Sequence, residues 1–296
     1  MRGKHLFFYM DYFVTFLLQL LQTTLKQVWI LFGMFTLVGL LLYVLSRNTR
    51  RVFVNAGYPK IDMFVTGWIG TPVHELGHAL FCVLFGHTIK DIKLFKPDKS
   101  DGTLGYITHS YDSKNIYHTI GNFFIGCGPI LLGSTIVFVL FTVALPQASQ
   151  VMSVFKSYGN ISFSISQFFD TIQQLWKLVW NIGAVIFTKE HMGSWQFWII
   201  IYVAFSISSH MQLSPPDIKT MLRGFLVIIS ICIVVNSVAV VWEFNINAWI
   251  ANHCKLGYVY GVMVFATMIS VCFYMLSYGI MAIVYGISKH KLLPLW

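Results

Sequence analysis

Apolar residues along this 296-residue chain fall into long blocks rather than alternating stripes. Blocks at about 28–46, 63–85, 120–145, 195–209, 225–242 and 258–287 predict apolar helices. Most are long enough for a hydrocarbon layer of about 30 Å. An earlier block, 6–25, contains Asp11, Gln19 and Gln22 among leucines and aromatics. It predicts an interfacial or partly inserted helix, with a full span as the alternative. Arg47, Arg50 and Arg51 close the 28–46 block, and Ser214-Pro215-Pro216-Asp217 breaks the pattern after the 195–209 block.

Two connections carry patterns of their own. Ile89–Phe95 and Thr103–Tyr111 are rich in β-formers, with turn residues Pro97, Asp98, Asp101 and Gly102 between them. That pattern predicts a β-hairpin over 89–111. In the 146–194 connection, Ile165, Phe168, Phe169, Ile172, Leu175, Trp176, Val179, Ile182 and Ile186 recur at helical spacing. This amphipathic helix suits either the bilayer surface or the end of a helix bundle. The expected fold is an all-α polytopic membrane protein. It has about six transmembrane helices, a small membrane-associated β-hairpin and an amphipathic helix. Three segments follow: an N-terminal part at 1–61, a core at 62–225 and C-terminal spans at 226–296.

Composition strengthens this picture. The chain is 56% hydrophobic and 10% charged, against about 25% charged in soluble domains. Its formal charge of +9 is expected to serve topology and contact with an anionic bilayer. No basic-aromatic stripe accompanies it, so no nucleic-acid partner is expected. Lys and Arg are denser in 1–27, 87–118, 210–223 and the tail than in the intervening segments, which favours cytoplasmic ends. Cys82, Cys127, Cys232, Cys254 and Cys272 form no C-x-x-C pair and read as small buried apolar residues. No small-residue cleavage site follows 6–25, so no cleavable signal is expected. Small size and the lack of glycosylation-rich loops point to a bacterial cell membrane.

The candidate chemistry lies in the second block, at His74-Glu75-Leu76-Gly77-His78. Residues four apart share a helix face, so His74 and His78 can hold one zinc ion. Glu75 can then act as base on a zinc-bound water. The chain has three glutamates, and one falls mid-span between correctly spaced histidines, where an idle carboxylate is costly. A catalytic zinc needs a third protein ligand. Asp217, at the proline break, is the leading candidate. Serving only to cap the following helix is its alternative role. Glu243 is the rival ligand and His210 a weaker one. Helical rise puts His78 roughly 10 Å and His74 roughly 17 Å from the Phe85 end, so the site is expected nearer the cytoplasmic side.

In this order the motifs resemble those of the site-2 protease family of intramembrane zinc metalloproteases. His74-Glu75-Leu76-Gly77-His78 matches its H-E-x-x-H. Gly126-Cys127-Gly128-Pro129-Ile130-Leu131-Leu132-Gly133 resembles its Gly-Pro segment, and Ser214-Pro215-Pro216-Asp217 its third-ligand motif. The resemblance covers about 62–225. Ile218 stands where the family often has glycine, and Ser209 and His210 occupy the neighbourhood of its upstream asparagine.

The resemblance implies an endopeptidase using Zn2+ held by His74, His78 and Asp217, with Glu75 as catalytic base. The expected substrate is a transmembrane protein or membrane peptide, and the lipid bilayer is the surrounding partner. A transmembrane helix must unwind before its amides are accessible, and a strand edge can take over the exchanged hydrogen bonds. Thr103, Leu104, Gly105, Tyr106 and Ile107 are the candidate substrate-binding residues, Gly102 and Gly105 permitting close backbone approach. A hairpin with no substrate role is the alternative. Gly126, Gly128 and Gly133 are expected to let helices pack closely. A prenyl-protein-type metalloprotease using Glu243, or a non-enzymatic metal-binding membrane protein, are the competing readings.

Overall fold

The computed structural model describes residues 2–97, 103–144, 148–157, 168–291 and 293–294. The predicted turn residues Asp98, Asp101 and Gly102, and Ile165 of the amphipathic pattern, lie outside this set.

Helix α1 (Arg2–Val28) passes through a π-helical turn, Trp29–Gly33, into α2 (Met34–Asn55). A second π-turn, Asp62–Thr66, leads into α3 (Gly67–Leu84). Strands β1 (Thr88–Lys93) and β2 (Tyr106–Ser110) follow, then α4 (Ile116–Val143), α5 (Ala148–Ser157), α6 (Phe168–Ile186) and α7 (Lys189–Met192). The chain ends with α8 (Trp195–Ser208), α9 (Pro215–Val241), α10 (Ile246–His253) and α11 (Leu256–Lys289).

Four stretches are long and apolar enough to cross a membrane: Met10–Asn55, Ile116–Val143, Pro215–Val241 and Leu256–Lys289. Trp195–Ser208 is apolar but short. The expectation of an all-α membrane protein with a small hairpin therefore holds, with fewer clear spans than the six expected. α3 is not among the four, because His74, Glu75 and His78 interrupt its apolar run. The 6–25 block is not separate from the next. No proline or glycine lies between Met10 and Gly33, so nothing breaks the helix there.

Packing fixes the directions of these helices. Phe32 meets Phe123, and Gly39 faces Ile130, so α2 runs parallel to α4. Gly77 lies against Gly128 and Pro129 while Phe85 lies against Gly121, so α3 runs antiparallel to α4. Gly126 touches Asp217 and Met221 while Gly224 touches Thr119 and Phe123, so α9 is antiparallel to α4 as well. Along α8, Tyr202 donates to the Val65 carbonyl and its hydroxyl accepts from Trp68, while Ser206 and His210 lie against Gly70. α8 and α9 thus both run parallel to α3, as one interrupted passage.

This changes the charge argument. Counting 210–223 with the cytoplasmic segments treats it as an exposed connection. Instead Ser208, Ser209, His210, Met211 and Leu213 are buried. Pro215 and Pro216 cannot continue the ladder, but the chain resumes in the same direction because Ser214 re-caps it. Lys219 and Arg223 belong to the first turns of α9, which removes them from the loop charge that favoured cytoplasmic ends.

One apolar core draws on α2, α4, α5, α6, α8 and α11, from Met34, Val38 and Leu42 to Phe265, Ala266 and Ile269. α6 buries Leu175, Leu178, Ile182 and Ile186 in it, which is the bundle-packed option for the amphipathic helix. Phe169, Trp176 and Trp180 nevertheless stay exposed on its other side, although the pattern grouped Phe169 and Trp176 with the apolar face.

Candidate metal centre

α3 presents Leu76 and Leu80 outward and turns His74, Glu75 and His78 inward. Gly77 makes this possible. A Cβ there would sit 2.7 Å from the Gly128 carbonyl carbon and the Pro129 nitrogen. Only a glycine pair lets the two backbones meet at this level. Gly126 likewise admits the backbone of Asp217, and Gly133 admits Met211. The close-packing role expected for these glycines is what the helices use.

Two side chains arrive from α3 and one from α9. The His78 Nε2 lies 3.1 Å from the His74 Nε2 and 3.2 Å from Asp217 Oδ1, and the His74 Nε2 lies 3.7 Å from Asp217 Oδ2. Three donors bound to one tetrahedral zinc stand about 3.3–3.5 Å apart, given bonds of about 2.0–2.2 Å. The observed distances, which involve both carboxylate oxygens, lie on either side of that spacing, so these residues are placed as a group that could hold a zinc ion.

The tautomers fit as well. The His74 Nδ1 donates to the His210 carbonyl at 2.8 Å, and the His78 Nδ1 donates to the Ile125 carbonyl at 2.7 Å. With both protons on Nδ1, each Nε2 directs a lone pair at the shared point. Neither carbonyl is visible in a sequence, because any residue type provides one. His210 therefore serves the site through its backbone. Its ring is buried against Gly70, with Nδ1 near Ser209 Oγ and the Ser206 carbonyl.

The geometry of Asp217 is compatible with both the capping role and the ligand role. Ser214 caps α9, and Asp217 Oδ2 accepts from the Ser214 backbone N–H at 2.7 Å. This capping box holds the carboxylate so that Oδ1 faces His78. Glu243 is exposed just past the far end of α9, and that end lies roughly 36 Å along the helix axis from Asp217. It is not a ligand of this centre.

A cavity of about 660 Å³ opens beside the three ligands and Glu75. Thr103, Leu104, Gly105, Tyr106 and Ile107 all line it. β1 and β2 pair antiparallel, Thr88 opposite Ser110 and Lys93 opposite Tyr106, with a bulge between Ile89 and Asp91. The Lys96 N–H donates to the Leu104 carbonyl at 2.7 Å, extending the ladder along the cavity. Gly105 has a different task from the one expected. A Cβ there would meet the Lys93 and Leu94 carbonyls and Thr71 within 2.8–2.9 Å. Its space is needed for the hairpin's own closure onto α3, not for an incoming chain.

The hairpin carries perturbed groups. The Tyr106 hydroxyl donates to Asp91 Oδ2 at 2.6 Å. That bond holds the Asp91 carboxyl below its usual range and pushes the Tyr106 hydroxyl up. At the other end, burial lowers His87 and takes His109 down to about 4, with neighbouring His87 and His78 adding to the effect.

Two further polar atoms face the cavity. Gln212 Oε1 and Thr71 Oγ1 are buried with no hydrogen-bond partner among the described residues, and both residues line the same space. Gln212 lies closer to the proline break than Ser209 and His210, the neighbourhood in which the resemblance places an amide. Comparison of the chain with family models, curated proteins and solved structures finds no match.

Proposed function

We propose that this protein is a zinc-dependent intramembrane endopeptidase that hydrolyses peptide bonds in or near transmembrane segments of membrane proteins. The observation that carries the reading is the interrupted passage α8–α9. It delivers Asp217 to His74 and His78 inside an apolar helix bundle, beside Glu75 and a polar cavity. Irregular backbone at such depth is tolerated where it lines a cavity, and a buried carboxylate there points to function.

His74, His78 and Asp217 would hold the ion. When bound, it supplies a Lewis acid that polarises the scissile carbonyl and acidifies a water. Glu75 takes the proton from the attacking water and returns it to the leaving amide nitrogen. The Ser214 N–H and the two backbone carbonyls keep the ligands aimed throughout. Water enters through the cavity, where Arg47, Arg50 and Asp62 give it a polar wall.

The substrate helix unwinds beside 103–107 and exchanges its internal hydrogen bonds for those of a strand edge. Gln212 Oε1 is available to accept one backbone N–H of the extended chain, the task for which the resemblance suggests an amide. The exposed positions of Glu243 and the bulk of α9 between it and the histidines give no support to a prenyl-protein-type ligand set.

The test uses purified full-length protein in lipid vesicles with transmembrane reporter substrates. Membrane proteomes of cells making wild type or Glu75→Gln supply the natural candidates. Wild type is expected to yield fragments cut within spans, and Glu75→Gln none, with metal still bound. Cleavage retained by that variant would sink the proposal.

A further inference from the structure

We propose that Cys82, His87 and His109 form a second metal site, for a zinc ion with three protein ligands and an open fourth position, which pins the hairpin to the end of α3. The Cys82 Sγ and one nitrogen of each histidine lie within 4.8 Å of one another. Cys82 is wholly buried, and His87 is 5% exposed. One thiolate and two imidazoles are a donor set that favours zinc over hard cations.

The local fold builds this site in two steps. Gly86 adopts a left-handed φ of +69° just past α3. The His87 N–H then reaches back to the Cys82 carbonyl at 2.8 Å, so the turn that ends the helix delivers His87 onto Cys82. The hairpin register does the rest. Ile89 opposite His109 brings the His109 ring over His87 on the return strand, with Nδ1 3.0 Å from the His87 Nδ1.

The tautomer logic matches the first centre. The His87 Nε2 donates to the His118 carbonyl at 2.8 Å. Its Nδ1 therefore carries a lone pair, which faces His109 Nδ1 and is available to an ion held among the three side chains. Tyr111 stacks on the His87 ring at 4.7 Å and 16°, and holds the imidazole in plane. Three ligands from a helix, its C-terminal turn and a strand make a staple. Its effect is to fix the lever arm of β2, whose start at Tyr106 borders the first cavity.

This assignment is independent of the peptidase reading, and metal counting separates the two. Full-length protein in detergent is loaded with Zn2+ or Co2+ and the metal per chain is measured. Wild type is expected to hold two ions. The His74→Ala/His78→Ala variant is expected to keep one, and its cobalt form to show a thiolate-to-cobalt charge-transfer band. Cys82→Ser and His109→Gln should each lose one ion and that band while retaining the first-site metal, and hairpin amides should exchange faster. The His109→Gln variant keeps the thiol and covers the case in which Cys82→Ser fails to fold. A His74→Ala/His78→Ala variant that binds no ion, cobalt spectra without a thiolate band, or Cys82→Ser and His109→Gln variants that lose no metal relative to wild type would each overturn the proposal. A double variant without metal would leave a hydrogen-bonded histidine pair in its place.

Discussion

The two clusters on α3 share one helix face and differ in how they are assembled. His74 and His78 are four residues apart on one rigid element, and Cys82 continues the same row one turn later. At the first centre the helix alone sets two of the three proposed ligands, and only Asp217 must travel. At the proposed second site, Cys82 is the one helical member. His87 depends on the left-handed turn at Gly86, and His109 on strand register. A helix writes its geometry into sequence spacing, whereas a turn followed by a hairpin does not. The same chemistry is therefore conspicuous in one place and hidden in the other.

The largest expected effect comes from the first centre. Glu75→Gln should reduce cleavage by at least about 10²–10⁴-fold, the range for losing a general base, with zinc content unchanged by elemental analysis. Asp217→Ala should empty that centre at zinc levels that saturate wild type, whereas Glu243→Ala should not. Equal losses in metal titrations of the two variants would remove Asp217 from the ligand set.

Next is the helix contact that both clusters rely on. Gly128→Val places methyls against the Gly77 backbone and should destabilise by about 1–3 kcal/mol or more. Thermal unfolding in detergent should show this, with metal affinity falling at the same time. Ser214→Ala removes the hydroxyl of the capping box but leaves the backbone N–H that Asp217 uses. The expected loss is about 1 kcal/mol in stability. A metal-affinity drop well below that of Asp217→Ala should accompany it in competition titrations.

The smallest effect belongs to the exposed rim of the hairpin. Asp91 is held below the ordinary carboxylate range by Tyr106, so the bond contributes at neutral pH and is lost as pH falls through that lowered value. Tyr106→Phe should abolish this acid dependence of hairpin amide exchange while leaving metal content and overall unfolding unchanged. A large stability loss would show that the rim, not the staple, anchors the strand.

Much of the first centre was legible because its signals are local. Helical spacing marked His74, Glu75 and His78, and proline marked the break before Asp217. Runs of β-formers marked the strands that border the cavity. The apolar blocks marked a membrane protein. Direction was not legible. A Pro-Pro break looks the same whether the chain turns back or continues, and the choice depended on Ser206 and His210 packing against Gly70. Gly105 was assigned to an incoming chain because sequence shows small size but not which neighbour uses the space.

The sequence by itself determined the apolar class, the paired histidines, their glutamate and the address, at a helix start, of the aspartate proposed as third ligand. Those follow from composition, 3.6-residue periodicity and the missing N–H of proline, all properties of a few neighbouring residues. The tertiary structure decided which carbonyls orient the imidazoles, that α8 and α9 form one interrupted passage, and that Cys82 meets two histidines. Each of these depends on backbone atoms or on residues brought together across long sequence separations, and residue identity carries no record of where another element's backbone lies.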